Sequence, residues 1–297
     1  MENTRKFPLF LNSFWLKVIA LLTMTIDHIG SQLEGNYYYD WLPDFANVLR
    51  IIGRIALPLF CFMIAEGAIH TKSFGKYSLR LGIMASLISV VIVGAEYIKG
   101  IPSMRLDGNI FIDLLLGATA IYCLRQNKWY LKALAALPLM YGIASFLAAS
   151  FESCGCHGHI LWFPFFMRTQ YGWYGIALCI LFYVAKLLAR VFISYLSEQS
   201  GVKEENYIGS IFERHAINII SALMIIFGTL LYYFTTKALP EKYIYLEMDT
   251  QLFAMLAGAF ILLYNGRRGY NKKWFQYGSY IYYPLHLAII YLIFESI

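Results

Sequence analysis

Long apolar segments constrain this chain more than any other feature of its sequence. A helix needs about 20 mostly apolar residues to cross the hydrocarbon core of a bilayer. We predict nine membrane-spanning helices, within a range of eight to ten, over residues 11–33, 46–70, 77–97, 110–125, 131–150, 171–193, 216–236, 250–265 and 277–296. The predicted fold class is therefore all-α, a polytopic transmembrane helix bundle in which residues 1–297 form a single integral membrane domain.

Charged residues are too scarce for a soluble protein of this length. They make up 14% of the 297 residues, whereas a soluble globular chain has roughly 25% because its surface must be hydrated. The net charge of +6 is typical of the lysines and arginines that orient membrane helices rather than of a nucleic-acid surface. We therefore expect membrane lipids around the chain and no nucleic-acid partner.

The distribution of lysine and arginine predicts how the helices are oriented. With the N-terminus inside, fifteen of these residues fall in inside loops and their flanks: Arg5, Lys6, Lys72, Lys76, Arg125, Lys128, Lys132, Lys186, Arg190, Lys203, Arg214, Arg267, Arg268, Lys272 and Lys273. The outside loops hold five: Lys99, Arg105, Arg168, Lys237 and Lys242. Because cytoplasmic loops carry an excess of positive charge, this bias predicts an N-inside and C-outside topology.

Several polar side chains lie within the apolar segments. An ionised group there costs about 2.5–3.5 kcal/mol on insertion scales and needs a partner or a purpose. The polar residues are Asp27, His28, Arg50, Arg54, Glu66, Glu96, Asn109, Asp113 and His286. Under the predicted topology most of them lie in the outer half of the membrane, which suggests one polar cavity that opens outward. The alternative is a buried ion-pair network, for example Asp27 or Asp113 with Arg54.

The histidines favour a catalytic cavity over a purely structural network, because histidine exchanges a proton near neutral pH and suits general base work. Asp27 and His28 are consecutive and lie about 100° apart around a helix, so they do not face each other. A carboxylate that orients His28 is then expected from another helix, with Asp27 available to hold an arginine. Pro58, inside the second segment, predicts a kink or local opening of that helix.

Motifs along the chain resemble those of the TraX family. They are Leu16–Ala20, Met24–Gly30, Gly53–Phe60, Ala65–Gly67, Asn109–Phe111 with Asp113 and Gly117, and Tyr283–His286. The similarity runs from the first predicted helix to the last. It therefore covers most of the chain.

This resemblance implies an activity. The family's namesake acetylates the N-terminus of a conjugative pilin subunit in the inner membrane. The family is also similar to a wider superfamily of multi-helix membrane acyltransferases, which carry an acyl group from cytoplasmic acyl-CoA to an acceptor at the outer face. The resemblance thus implies a multi-pass acyltransferase of the cytoplasmic (inner) membrane. Its donor would be acetyl-CoA or another acyl-CoA, and its acceptor a pilin-like peptide or an envelope glycan.

The resemblance also implies roles for single residues. His28 is the best catalytic candidate, Arg54 is a supporting one, and His286 matches a histidine near the end of the last helix of the family. Asp27 completes the predicted catalytic group. An acceptor that attacks a thioester must lose a proton to a base, and a buried arginine can stabilise the negative charge that develops on the thioester oxygen.

A second group of residues is predicted to bind substrate or cofactor. Polar residues of the same cavity and a basic cluster near the last helix form this group: Arg50, Glu66, Asn109, Asp113, Arg267, Arg268 and Lys272. The basic cluster is suited to the phosphates of coenzyme A. Its alternative explanation is the ordinary positive charge that flanks membrane helices on the inside.

The loop Cys154–His159 contains two cysteines and two histidines. Their spacing is too tight for a usual structural zinc site, and an ordinary loop or a local disulfide is the alternative. We therefore expect no metal cofactor.

Two other function classes remain open from the sequence. The same buried charges suit a transporter or flippase, although the chain shows no clear internal repeat of the kind common in transporters. A non-catalytic assembly factor for a pilus or envelope complex is the third possibility. Loss of activity on substitution of His28 separates the enzyme from both.

Overall fold

The computed structural model describes residues 9–34, 41–97, 108–153, 163–239 and 248–295, and the regular elements in these ranges are all helical. The α-helices, in chain order, are α1 (Ser13–Leu33), α2 (Leu42–Gly53), α3 (Ala56–His70), α4 (Phe74–Tyr97), α5 (Ile110–Leu124), α6 (Trp129–Ala133), α7 (Ala136–Ser153), α8 (Tyr174–Ser200), α9 (Ile211–Lys237), α10 (Met248–Gln251), α11 (Ala257–Leu262) and α12 (Lys273–Glu295). A 3₁₀ turn over Leu252–Leu256 connects α10 to α11.

The all-α prediction is confirmed for these residues. Five helical stretches of the described chain are long and apolar enough to cross a membrane: Leu42–His70, Phe74–Gly94, Trp129–Glu152, Tyr174–Ser200 and Ile211–Lys237. Two shorter apolar stretches, Ile110–Leu124 and Asp249–Leu262, match the fourth and eighth predicted segments. Helices α1 and α12 occupy the first and the ninth.

The second predicted segment is interrupted rather than continuous. Helix α2 ends at Gly53, a turn at Arg54 and Ile55 follows, and α3 begins at Ala56. The backbone N–H of Arg54 lies 3.2 Å from the carbonyl of Arg50 and 3.3 Å from that of Ile51, which is the tightened geometry of a helix end. Pro58 lies in the first turn of α3, where its missing N–H is tolerated. The opening therefore lies just before the proline and places Arg54 at the end of α2.

Two glycines allow α1 and α2 to approach closely. A Cβ atom on Gly30 would lie 2.9 Å from the Cβ of Leu49, closer than real Cβ atoms come. A Cβ atom on Gly53 would overlap the side chain of Asp27. The absence of a side chain at both positions brings the end of α2 against the polar residues of α1.

One face of the bundle collects the ends of many helices, and we call it the basic face. The backbone N–H of Ser13, at the start of α1, donates to the carbonyl of Arg267 at 2.9 Å. Three neighbouring cavities open on this face, between the starts of α1, α9 and α12, the ends of α3 and α5, and the middle of α8. Six of the fifteen cations predicted to be inside line these cavities: Arg125, Lys186, Arg190, Arg214, Arg267 and Arg268.

Candidate functional site

Two histidines from the two ends of the sequence meet at the centre of the candidate site. The Nδ1 atom of His28, on α1, lies 2.7 Å from the Nε2 atom of His286, on α12. The rings are stacked, with their centroids 5.0 Å apart and their planes 26° from parallel. His286 is buried at 4% exposure, while His28 is partly exposed. Only His28 therefore presents its ring to the cavity described below.

The hydrogen bonds assign the protons of the two rings. The Nδ1 atom of His286 lies 2.8 Å from the carbonyl oxygen of Tyr282, which can only accept, so this nitrogen carries the proton. In a neutral His286 the Nε2 atom then holds a lone pair and accepts from the Nδ1–H of His28. The Nε2 atom of His28 is left with its lone pair. It is the atom of the pair that can accept a proton from a substrate.

Aromatic and hydroxyl side chains fix the orientation of the histidine pair. The ring of Tyr282 stacks on His286 with centroids 5.1 Å apart and planes 8° from parallel. The hydroxyl of Tyr282 lies 2.8 Å from the hydroxyl of Thr25, one turn before His28. Tyr283 meets both imidazoles edge to face. The two rings are therefore held between α1 and α12 rather than left to rotate.

Asp27, the residue before His28, pairs with two arginines instead. Its Oδ2 atom lies 2.8 Å from Nη1 of Arg50, and its Oδ1 atom lies 3.0 Å from Nη2 of Arg54. Arg50 also approaches Glu34 at 3.5 Å, and Nη1 of Arg54 lies 3.5 Å from the amide oxygen of Gln251. The carboxylate expected beside His28 is absent from its described hydrogen bonds, and a second histidine takes that position.

An apolar cavity of about 230 Å³ begins at His28 and Asp27. Its lining on α1 is a single helical stripe, since Lys17, Leu21, Met24 and His28 recur at intervals of three or four residues. Most of the remaining lining comes from α3, α5 and α12 and is largely apolar or aromatic: Ala56, Leu57, Phe60, Met63, Ile64, Ile110, Phe111, Leu114, Tyr280 and Tyr283. The space beside the histidine is therefore mostly hydrophobic rather than the polar cavity that we expected.

The apolar cavity continues into a basic vestibule of about 570 Å³ on the basic face. The two spaces share five lining residues: Lys17, Met63, Gly67, Tyr77 and Tyr280. Beyond this neck the vestibule is lined by Arg80, Arg214 and Arg268 together with Glu66 and His70. A route thus leads from a positively charged mouth, past Lys17, to the ring of His28.

The sequence-predicted residues divide into three groups. Asp27, His28, Arg50, Arg54 and His286 come together as described above. Glu66 and Arg268 line the vestibule, and Arg267 lines the cavity next to it. Lys272 lies on the basic face with its ammonium 5.9 Å from the ring centroid of Tyr270.

Asn109 and Asp113 form the third group and are fully buried away from the histidines. Asn109 caps α5 by accepting from the N–H of Phe111, and its amide donates to the carbonyl of Ala85 at 2.7 Å. Asp113 accepts from the N–H groups of Gln170 at 2.7 Å and Tyr171 at 3.3 Å. Because Gln170 and Tyr171 line the apolar cavity, Asp113 shapes the cavity through the segment before α8.

Lys17 and Gln251 are site residues that sequence reasoning missed. Lys17 lies in the neck between the two cavities, with its ammonium 5.6 Å from the ring centroid of Phe275. The signal was present, because Lys17 and His28 lie on the same helical stripe about three turns apart. Gln251 carried no such signal, since its contact with Arg54 joins parts of the chain that are remote in sequence.

Within the described residues, no group of three or more histidine, cysteine or acidic side chains is arranged to hold a metal ion. The loop Cys154–His159 lies outside the described residues.

Similarity to known proteins identifies the family of this chain. The chain matches the family described as TraX protein over residues 13–199. This range runs from α1 almost to the end of α8 and includes Asp27, His28, Arg50 and Arg54, but not Gln251, His286 or the vestibule residues after α8. It is 23% identical over 293 residues to the "Probable fimbrial assembly protein FimC, serogroup H1" of Dichelobacter nodosus, with 94% of each chain covered.

A second relative is an uncharacterized protein of Rickettsia prowazekii (strain Madrid E). It is 30% identical over 174 residues, which cover 58% of this chain and 54% of the relative. No solved structure matches the chain. Since the family match extends over more than half of the sequence, the chain belongs to the TraX family.

Proposed function

We propose that this protein is a membrane-embedded acyltransferase, and specifically an acetyltransferase. It would move an acyl group from acyl-CoA to an amine or hydroxyl of an acceptor on the opposite side of the membrane. The observation that carries the proposal is the hydrogen-bond chain from Tyr282 through His286 to His28, which leaves a lone pair on His28 Nε2 beside the apolar cavity. The continuity of this cavity with a basic vestibule supports it.

The two cavities match the two halves of an acyl-CoA molecule. The nucleotide half carries negative phosphates, and Arg80, Arg214 and Arg268 give the vestibule an excess of positive charge over Glu66. The other half is a narrow arm that ends in a thioester. The largely apolar cavity has the right character for that arm and ends at His28. Donor binding at the basic face would thus deliver the thioester to the base.

The chemistry moves one proton from the acceptor to His28 and then to the leaving thiolate. As the acceptor nitrogen or oxygen attacks the thioester carbonyl, its proton passes to Nε2 of His28. The carbon–sulfur bond then breaks, and the coenzyme A thiolate leaves with the proton from Nε2 of His28, which restores the neutral base. Negative charge builds on the carbonyl oxygen before this step. Arg54, 6% exposed and held by Asp27, is a buried cation of the site that can stabilise it.

The proposal gives the bundle an orientation. Acyl-CoA is a cytoplasmic metabolite, so the basic face would be cytoplasmic, with nine crossings, the N-terminus inside and the C-terminus outside. The charge distribution of the sequence supports this arrangement. The acceptor, a pilin-like peptide or an envelope glycan, would then reach His28 from the outer side of the inner membrane.

A non-catalytic role in fimbrial assembly is the second candidate. It is favoured by the relative from Dichelobacter nodosus, whose description names fimbrial assembly and no reaction. An assembly factor has no need of a proton-accepting histidine beside a cavity that continues to a basic vestibule. The two candidates therefore differ in whether His28 is required for turnover of acyl-CoA.

The purified full chain in detergent tests the proposal. Radiolabelled acetyl-CoA is supplied with a synthetic peptide that has a free N-terminus, and the released coenzyme A and the labelled peptide are quantified. We expect His28→Ala to lower the rate by at least about 100-fold, the usual contribution of a general base. The matched control is His215→Ala, which removes a histidine on α9 that lines neither the apolar cavity nor any of the three cavities of the basic face. Equal rates for the two variants would exclude His28 as the base.

A further inference from the structure

A separate basic cavity of about 340 Å³ lies on the basic face where the ends of α3 and α5 meet α8. It is lined by Ile69, His70, Arg125, Tyr183, Lys186, Leu187 and Arg190. We propose that this cavity binds the phosphate of an anionic membrane phospholipid. The proposal is independent of the chemistry at His28.

The cavity concentrates positive charge without a carboxylate among its described lining residues. Arg125, Lys186 and Arg190 contribute three cations. Lys186 is only 9% exposed although it lies in the middle of α8, and a buried ammonium in a membrane helix requires a partner. Its ammonium lies 3.1 Å from Nε2 of His70, a neutral acceptor when the imidazole is uncharged. The positive charge of Lys186 is therefore solvated but not neutralised by this contact.

Glu66 and Glu213 line the adjoining cavities, and neither forms an ion pair within 4 Å with Arg125, Lys186 or Arg190. Glu66 lies 3.8 Å from the ring of His70, but it is also 3.8 Å from Nη1 of Arg214 on the vestibule side. Arg190 makes no hydrogen bond or ion pair with any described residue. Arg125 uses one nitrogen to donate to the carbonyl of Ala68 at the end of α3. An anion that enters the cavity would thus meet three cations that form no ion pair with a carboxylate of the described residues.

The position of the cavity favours a lipid over a soluble ligand. Tyr183, Lys186, Leu187 and Arg190 form one stripe along α8, at the spacing of a helical face. Leu187 is 41% exposed, and the exposed Leu188 and Val191 continue the apolar surface of the same helix. The cations therefore adjoin a surface suited to acyl chains. They lie beside the ends of α3 and α5, where headgroups reside, and basic pockets of this kind between membrane helices bind anionic lipids.

The cavity is also distinct from the proposed donor route. It shares only His70 with the vestibule and no lining residue with the apolar cavity beside His28. It does share His70, Lys186 and Arg190 with the third cavity of the basic face, which is not part of the donor route. A donor that fills the vestibule and the apolar cavity leaves Arg125 and Arg190 without a ligand. This separation is the reason for assigning the phosphate to a phospholipid rather than to coenzyme A.

Lipid titration of the full chain tests the proposal. The protein is purified in detergent, stripped of co-purified lipid and titrated with phosphatidylglycerol, and bound lipid is counted by native mass spectrometry. We expect Arg190→Gln to weaken binding about fivefold, because a cation near an anionic headgroup contributes about 1 kcal/mol. Lys186→Gln is expected to weaken it at least as much. Since Arg190 is exposed, its variant tests the site even where the buried lysine is needed for folding.

Three comparisons make the result decisive. Lys203→Gln removes an exposed cation elsewhere and is expected to leave phosphatidylglycerol binding unchanged. Phosphatidylcholine, which has no net charge, is expected to bind the wild-type chain more weakly than phosphatidylglycerol. Equal phosphatidylglycerol binding by Arg190→Gln and Lys203→Gln would overturn the site. Displacement of the lipid by inorganic phosphate or coenzyme A from the wild type, but not from Arg190→Gln, would overturn the lipid assignment in favour of a soluble phosphate.

Discussion

Asp27 and His28 are neighbours on α1, yet the structure satisfies them in opposite ways. Asp27 lies against two arginines, so its charge is matched by full opposite charges at 2.8 and 3.0 Å. His28 has a neutral partner, the ring of His286, and the chain of hydrogen bonds ends on a backbone carbonyl. One residue of helical rotation therefore separates a group that holds helices together from a group that is free to exchange a proton.

The contrast shows that burial alone does not identify a catalytic group. Both side chains are polar and lie within an apolar helix, where either would be costly without a partner. Both oxygens of Asp27 are engaged, so loss of its charge would remove the carboxylate closest to Arg50 and the carboxylate 3.0 Å from Arg54. The Nε2 atom of His28 has no described hydrogen bond and lies beside a cavity. The two residues differ because Nε2 of His28 can still accept a proton, whereas both carboxylate oxygens of Asp27 lie against arginines.

The largest stability effect is expected at Asp27. Asp27→Asn keeps the shape of the side chain but removes the charge that faces Arg50 and Arg54. Breaking a buried ion pair in this way is expected to destabilise the fold by about 3–5 kcal/mol. Thermal unfolding in detergent, followed by size-exclusion chromatography of the heated protein, measures the loss.

The control for this variant is Asp44→Asn, which changes an exposed aspartate in the first turn of α2. We expect it to change stability by less than about 1 kcal/mol. His28→Ala is expected to leave stability close to the wild type while it lowers turnover at least about 100-fold. If Asp27→Asn were as stable as Asp44→Asn, the ion pairs of Asp27 would not stabilise the fold, and the contrast with His28 would fail.

The next effect is expected at His286, on activity rather than stability. His286→Phe removes the acceptor for the Nδ1–H of His28 and is expected to lower the rate of acyl transfer about 10- to 100-fold, the range seen when partners that orient metal-bound histidines are lost. His286→Gln, whose amide oxygen can accept the same proton, is expected to retain more activity than His286→Phe. Initial rates with acetyl-CoA measure both variants. Equal loss in the two would show that His286 contributes shape alone.

A substitution at Gly53 tests whether the ion pairs of Asp27 with Arg50 and Arg54 depend on the close approach of α1 and α2. Gly53→Ala would force a Cβ atom into the side chain of Asp27, and overpacking of this kind costs about 1–3 kcal/mol. Gly82→Ala is the matched control, because a Cβ atom at that helical glycine meets nothing within 4 Å. There the higher helix propensity of alanine is expected to raise stability by up to about 1 kcal/mol. The two variants should therefore shift the unfolding temperature in opposite directions.

Local helix geometry was enough to predict part of this site. Because consecutive residues are about 100° apart, the sequence predicted that Asp27 and His28 would face different partners and that Asp27 would be available for an arginine. The position of the helix interruption followed less directly from Pro58, since the proline lies in the first turn after the break. These inferences depend only on residues close together in the chain.

The remaining features depend on contacts between distant segments, and no local pattern specifies them. His28 and His286 are 258 residues apart, so nothing near either residue predicts that α1 lies beside α12. Asp113 resembled a cavity residue, but backbone N–H groups of Gln170 and Tyr171 satisfy it. A buried carboxylate can be satisfied by arginines or by the backbone, and only the packing decides which.

The smallest effect in this series is expected at Thr25, which supports the histidine pair without touching it. The Thr25 hydroxyl donates to the carbonyl of Leu21 at 2.9 Å, so the hydroxyl of Tyr282 must be the donor in the 2.8 Å contact between the two. Thr25→Val removes that acceptor and leaves the phenol of Tyr282 unpaired at this site. We expect a loss of about 0.5–1.5 kcal/mol in stability and a decrease in rate smaller than that of His286→Phe.

Thr119→Val is the matched control for Thr25→Val. Its hydroxyl donates only to the carbonyl of Leu115 within α5, at 2.8 Å, and the residue is partly buried like Thr25. It is expected to lose neither activity nor more than a few tenths of a kcal/mol in stability. A rate decrease in Thr25→Val alone would show that the orientation of Tyr282 reaches His28 through His286. Wild-type activity in Thr25→Val would instead show that the hydrogen bonds needed for activity are only those that link the Tyr282 carbonyl, His286 and His28.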